Sequence, residues 1–227
     1  MPVGPIKNKD GSTNTITLGR YSNFAKQNGT YVPAQNANNC TQEVTINTYF
    51  KELSTFREGN TATDSTAQNA TARNLAEFIS TSLSNGGYYI ARFEASGTAS
   101  KITSKYNQTV LGNITQPNAA KVAREMYGEV KENNELVYAS DLVNSYAWDT
   151  AIIFIQTYST ETDASSYASQ NKSTSFANTG KSNDKYCNIF DMSGNAYEWT
   201  TEYSAKSVDS DFCPCVPRGG LRYSGWL

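Results

Sequence analysis

From Asp64 to Ser84 the apolar residues Ala67, Leu75, Phe78, Ile79 and Leu83 recur near one face at helical spacing, and Asn85-Gly86-Gly87 supplies a stop. In the next segment, YYIARFEAS, Tyr89, Ala91 and Phe93 alternate with Tyr88, Ile90 and Arg92, which predicts a strand with aromatic character on both faces. Gln116-Pro117-Asn118 opens a second helix that runs through AAKVAREMYGEV, with Val122, Met126 and Tyr127 as its apolar stripe. A third is predicted over DLVNSYAWDTAIIFIQTYS. Ser140 is placed to cap it, Asp141 lies in its first turn, and Leu142, Val143, Tyr146, Ala147, Ile153 and Phe154 recur at three- and four-residue steps. The first fifty residues, with TNTITLGRY and EVTINTYF between Asn/Gly/Gln-rich connections, read as short strands and loops, as do the last forty. Residues 158–186 form a polar stretch too long for an ordinary connection, which marks it as functional or disordered. The pattern is that of an α+β chain.

Composition narrows the function more than the fold. A length of 227 residues supports one domain with a sizeable core, and no break or repeat divides it. With 18% charged residues and a net charge of -2 there is no overall electrostatic footprint for nucleic acid or an anionic membrane, so polyanionic partners are not expected. The polar residues are instead dominated by Asn, Ser and Thr, alongside 15 tyrosines, a surface suited to recognition through hydrogen bonds or to a secreted or virion setting. The chain has no histidine, which excludes His-based acid/base catalysis, Ser-His and Cys-His nucleophiles and most zinc and iron ligand sets. Cys213-Pro214-Cys215 is too tight for a zinc knuckle; a disulfide from Cys40 or Cys187 to that pair, or reduced thiols throughout, both stay open. The opening MPVGPIKNKDGS lacks the pattern of a signal peptide, and no run approaches the roughly 18 apolar residues of a membrane span.

One stretch concentrates candidate chemistry. In NIFDMSGNAYEWTTEY, residues 188–203, Asp191 and Glu198 flank a Gly194-Asn195 turn. Calcium takes six to eight oxygens from carboxylates and carbonyls, and this spacing suits such a loop. The plainer reading is a tight turn in which Met192, Tyr197 and Trp199 enter the core while the acids face solvent. An acid/base catalytic pair would need two carboxyls with pKa values pushed apart, which spacing does not show.

Whole phrases of this chain resemble the formylglycine-generating enzyme-like (sulfatase-modifying factor) domains. YYIARFEAS is similar to their Phe-x-Ile-Gly-Arg-Tyr-Glu strand. NIFDMSGNAYEWTTEY followed by VPRGG is similar to their Asp-Met-x-Gly-Asn-Val-Trp-Glu-Trp-Thr and Arg-Gly-Gly-Ser phrases, in the same order. The resemblance spans roughly residue 85 to the end. It implies a variant of the C-type lectin-like fold, with short twisted antiparallel strands, two or three helices and long loops in a single domain over 1–227. It also implies a calcium site at the side chains of Asp191 and Glu198 and the carbonyls of Gly194 and Ala196. The family's other calcium site has no matching ligands in 158–186. Trp199 and Arg218-Gly219-Gly220 would be packing and turn elements.

The departures from the family point away from its chemistry. Its oxidases carry two cysteines shortly after Gly-Gly, where this chain reads LRYSGWL, and its sulfoxide synthases need histidines. Relatives also begin and end with strands this chain is expected to lack, through fragmentation, divergence or provision by another chain. The resemblance therefore implies a non-catalytic module of a phage or bacterial surface protein that binds a protein or glycan through residues 158–186 and through Arg222, Tyr223 and Trp226. The competing expectation is a metal- and cysteine-dependent oxidase of a protein thiol, with Cys213, Cys215 or Cys187 in the redox role.

Overall fold

The computed structural model describes residues 1–21, 26, 28–33, 44–45, 50–52, 75–159, 175–182, 184–192, 194–204 and 215–219. In chain order these form β1 (Gly4–Lys7), β2 (Thr13–Ile16), β3 (Val44–Thr45), β4 (Phe50–Glu52), α1 (Leu75–Ser84), β5 (Ser96–Thr98), β6 (Lys101–Thr103) and α2 (Gln116–Tyr127). They continue as β7 (Glu129–Glu132), β8 (Glu135–Ala139), α3 (Ser145–Tyr158), β9 (Lys185–Tyr186), β10 (Ile189–Phe190), β11 (Glu198–Ser204) and β12 (Cys215–Arg218). The chain is thus a mixed α+β structure of three helices and short antiparallel strand pairs among the described residues. Its largest sheet has the order β12-β11-β4-β3, and the other pairs are two-stranded.

The core is organised around α3. Trp148, Ala151, Ile152 and Ile155 pack with Ile189 and Met192 beside β10; Tyr146 joins Leu18, Leu75 and Ile79; Ile153 joins Ile16, Tyr21 and Tyr31. One helix thereby contributes to all three buried clusters, because the run SYAWDTAIIFIQ is apolar on every side and has no solvent face to offer. Each fully buried Ile or Leu in such a core contributes about 1.5–3 kcal/mol.

Helix ends depart from the periodicity reading. α3 starts at Ser145 and is capped by Asn144, whose side chain accepts from the Ala147 N–H at 2.9 Å. Ser140 does not cap it. Its hydroxyl accepts the Tyr127 N–H at 3.0 Å and donates to the Arg124 carbonyl, closing the preceding helix. Asp141 likewise lies outside the helix and pairs with Arg124 at 2.8 Å. α2 stops at Tyr127, and the predicted helical Gly128-Glu129-Val130 turns away through Gly128 at φ 65° into the β7–β8 hairpin. Asn133 and Asn134, at φ 51° and 66°, make that hairpin's turn. The buried stripe of α2 is Ala119, Ala120, Val122 and Ala123, while Tyr127 is 67% exposed.

α1 buries Leu75 and Ile79 as expected, but Leu83 stands 38% exposed; the predicted start of this helix, Asp64 to Arg73 and Asn74, lies outside the described residues. Its predicted stop holds, with the Gly87 N–H reaching back to the Ser82 carbonyl at 2.7 Å. The predicted strand 88–96 is a correction. Only Ser96 enters a named strand, and Tyr88 to Ala95 runs as irregular chain tied at single points, Tyr88 N to Met1 O and Arg92 O to Phe190 N. Its alternating side chains are taken up by separate neighbours: the Tyr88 hydroxyl donates to Ala147 O at 2.6 Å, and Phe93 stacks near Phe190. The alternation does not mark two buried faces: Tyr89, Ala91 and Arg92 are exposed, and Tyr88, Ile90 and Phe93 are half-buried.

Candidate functional site

Three segments meet next to α3: the crossing chain 92–95, the loop 175–184, and the β10–β11 connection 191–197. Their meeting point is built from side chains bonded to backbone. Asn195, buried and at φ 71°, accepts the Ala177 N–H on Oδ1 at 2.9 Å and donates from Nδ2 to Ala177 O at 3.2 Å and to Glu94 Oε2. The other oxygen of Glu94 accepts the Ala196 N–H at 3.0 Å. Asp191, 0% exposed and at φ 63°, accepts the Gly180 N–H on Oδ2 at 2.9 Å and the Ser182 hydroxyl on Oδ1, while its own N–H donates to Asp184 O. A short polar side chain in a left-handed residue closes each tie, which is the local chemistry that Asn and Asp tolerate best.

Glu198 opens β11 beside this network, and its Oε2 is buried without a hydrogen-bond partner among the described residues. Gly219, at φ 76°, leaves the room for it, since a β-carbon there would fall on that oxygen. Two flanking ties fix the strand: Trp199 Nε1–H donates to Ile114 O at 2.8 Å, and Gln116 Nε2–H donates to Thr200 O at 2.7 Å.

Charge is the distinctive property. Burial holds the Glu198 carboxyl well above the ordinary range, and the negative charges of Glu94, Asp184 and Asp191 push it further. Burial raises Glu94 in the same way, reinforced by the Asp191 charge and opposed by the hydrogen bonds from Asn195 and Ala196. Asp191 is raised by burial against its Ser182 and Gly180 bonds. Glu94, Asp191 and Glu198 share one electrostatic environment beside Asp184, and no neighbouring cation offsets the burial of any of the three.

A second buried acid lies in α3. Asp149 accepts the Tyr21 N–H at 2.9 Å and faces the Arg218 guanidinium at 3.4 Å, which also lies over the Trp148 ring at 5.7 Å. Burial raises its pKa, while Arg218, the Tyr21 N–H and Arg20 lower it. This explains Arg218: it is the counterion of a helix that has no other use for charge.

Of the residues singled out in sequence, Asp191 and Glu198 lie near enough for their charges to interact, and Gly194 and Ala196 stand in the connection between them. The solvent-facing alternative fails for Asp191, although Met192 is buried as that reading expected and Tyr197 and Trp199 are half-buried. Arg222, Tyr223, Trp226, Cys40 and Cys213 lie outside the described residues. Cys187 is a free, half-buried thiol whose pKa is raised by burial. Sequence reasoning missed Glu94, Asp184, Asn195 and Asp149. The available signal was an acid inside an apolar run, in RFEAS and AWDTAI, where a charge is retained only with a buried role.

Oxygen chemistry at this site fits a hard cation. Asp191 and Glu198 supply carboxylates, each oxygen of Asp191 keeps lone pairs beyond its hydrogen bonds, and the orphaned Glu198 Oε2 lacks a partner. No three His, Cys, Asp or Glu side chains converge at metal-holding spacing among the described residues, so main-chain carbonyls would have to complete the shell. Comparison with known proteins gives no match to a family model, a curated protein or a solved structure.

Proposed function

We propose that the chain is a non-catalytic recognition module of the C-type lectin-like, formylglycine-generating enzyme-like type, carried on a phage or bacterial surface and binding a protein or glycan. The observation that carries this reading is the use made of its acids. Glu94 and Asp191 have both carboxylate oxygens bonded to groups that hold loops together, chiefly the Ala196 and Gly180 N–H groups, Asn195 and Ser182. Carboxyls so placed fix the shape of a loop surface. Calcium at the side chains of Asp191 and Glu198 and the carbonyls of Gly194 and Ala196 would neutralise the cluster and stiffen the same loops; when bound it supplies structural charge balance. The loops then present 158–186, and Arg222, Tyr223 and Trp226 add the arginine and aromatic character favoured at binding hot spots. The Cys187 thiol, held protonated by burial, lacks the depressed pKa of a redox nucleophile.

The test pairs two measurements. Thiol oxidation of a cysteine peptide is assayed with added copper for the intact chain and for Cys187→Ser, Cys213→Ser and Cys215→Ser; the expected result is no turnover in any, and turnover lost in one of the variants would establish the oxidase instead. Thermal unfolding is then followed in calcium and in chelator. A ligand that binds only the folded state at a hundredfold excess over Kd stabilises by about 2.7 kcal/mol. An unchanged Tm, equally unchanged in Asp191→Ala, removes calcium from the reading.

A further inference from the structure

The outer side of these loops carries the opposite charge to the acids beneath. Tyr106, Phe93 and Phe190 stand in a row, with ring centroids 5.8 Å apart for Phe93 and Tyr106 and 4.9 Å for Phe93 and Phe190. Cations lie over the rings. Lys181 Nζ is 5.0 Å from the Tyr106 centroid, the Arg92 guanidinium is 5.4 Å from Phe93 and 5.5 Å from Phe190, and Lys185 Nζ is 5.3 Å from Phe190. A ring quadrupole attracts a cation over its face and so limits where each charged group points.

The platform under them is held by backbone. Asn107 N–H donates to Thr179 O at 2.8 Å, Thr179 N–H donates to Gln108 O at 2.9 Å, and Phe190 N–H donates to Arg92 O at 3.1 Å. Asn188 orients Arg92, accepting from Nε at 3.2 Å and from a terminal nitrogen at 3.3 Å. None of Arg92, Lys181 or Lys185 is paired with a carboxylate among the described residues. The net charge of -2 hides this face, because the nearby acids Asp184 and Asp191 are buried and the cations are exposed.

We propose that this face binds an acidic polysaccharide, a polymer of uronate-type sugars whose successive carboxylates meet Lys181, Arg92 and Lys185. The proposal rests on the recognition reading above and assigns a ligand chemistry to the described end of the 158–186 stretch, where Lys181 and Lys185 lie. It departs from the expectation of no polyanionic partner, which was drawn from the net charge of the whole chain. Sugar hydroxyls need both donors and acceptors, and the exposed amides of Asn107 and Asn178, bonded to each other at 3.2 Å, offer both. Tyr106, 51% exposed, leaves ring surface for the apolar face of a pyranose. Because the cations are already positioned, little side-chain ordering opposes binding.

The experiment is calorimetric titration of the full chain with polygalacturonate, with neutral dextran, poly-L-glutamate and an oligothymidylate as comparisons. Binding is expected for polygalacturonate alone, weakening as salt is raised. Lys181→Gln combined with Lys185→Gln is expected to weaken it about tenfold or more, and the pair Lys7→Gln with Lys9→Gln, on the β1–β2 hairpin, to leave it unchanged. Absence of polygalacturonate binding, or equal binding of poly-L-glutamate or oligothymidylate, overturns the ligand class. Equal loss in both double variants, or loss in neither, overturns the assignment to this face. Each of these results is independent of the copper assay, whose failure would instead strike the recognition reading itself.

Discussion

Asp149 and Glu198 each keep a carboxylate oxygen away from water and without a hydrogen bond among the described residues, but they face different surroundings. The orphaned oxygen of Asp149 looks at Arg218, 3.4 Å away. That of Glu198 lies in the field of Glu94, Asp184 and Asp191. A buried charge is tolerable only when something compensates it. Around Asp149 the compensation is internal, supplied by the chain, so the centre is structural. Around Glu198 no described cation supplies it, and a proton or a cation from solution would, which makes this centre responsive to the solution.

The largest effect should come from breaking the internally balanced centre. Asp149→Ala removes the buried carboxylate that faces the half-buried Arg218 and accepts the Tyr21 N–H, and should cost about 3 kcal/mol in denaturant unfolding. If the double variant Asp149→Leu with Arg218→Met recovers much of that loss, the cost belongs to the unpaired charge; an equal or larger loss would assign it to packing. Next in size is Asn195→Ala, which strips Glu94 of one donor and cuts both bonds to Ala177; about 2 kcal/mol is expected. A neutral result would mean that the loops are held elsewhere.

The externally balanced centre should show the opposite sign. Glu198→Gln removes one of the mutually repelling charges, and in chelator it should raise stability by about 1 kcal/mol while abolishing any stabilisation by calcium. Its pH dependence follows from the same shifts. The folded carboxyls of Glu94, Glu198 and Asp191 retain protons that the unfolded chain has already released, so folding takes up protons above the ordinary carboxylate range. Stability is therefore greatest near the unfolded pKa values and falls as pH rises toward the folded ones. In chelator, Tm should fall as pH rises above the ordinary carboxylate range of about 4 to 4.5. Saturating calcium should flatten that slope, because the carboxylates would then be ionised in both states; a rising Tm over that window in chelator would contradict the charge arrangement.

Legibility in the sequence followed the physics of each feature. α3 was readable because a long apolar run has few alternatives to a buried helix, and the Asn85-Gly86-Gly87 stop was readable because glycine there satisfies a purely local need. The cap of α3 was misplaced by four residues: Ser140 and Asn144 are both good caps, and the choice was made by Arg124, which draws Asp141 into an ion pair outside the helix. Segment 88–95 read as a strand because its aromatic and apolar residues alternate, but alternation does not supply the neighbouring strand that a sheet requires, and Tyr89 and Ala91 face solvent. At the site, Asp191 and Glu198 were found because they flank a turn within one short phrase. Glu94 is about a hundred residues away in sequence, and its partnership with Asn195 could not be read from spacing.

The sequence by itself determined the helical core, the α+β class, the exclusion of histidine chemistry and the importance of residues 188–203, since each depends on composition or on contacts a few residues apart. Tertiary structure decided how the charges are arranged. It placed Arg218 against Asp149, gathered Glu94, Asp184, Asp191 and Glu198 below a surface bearing Arg92, Lys181 and Lys185, and so separated the signs that the net charge had merged. Electrostatic energy depends on distance and on exclusion of water, and neither quantity exists until the chain is folded.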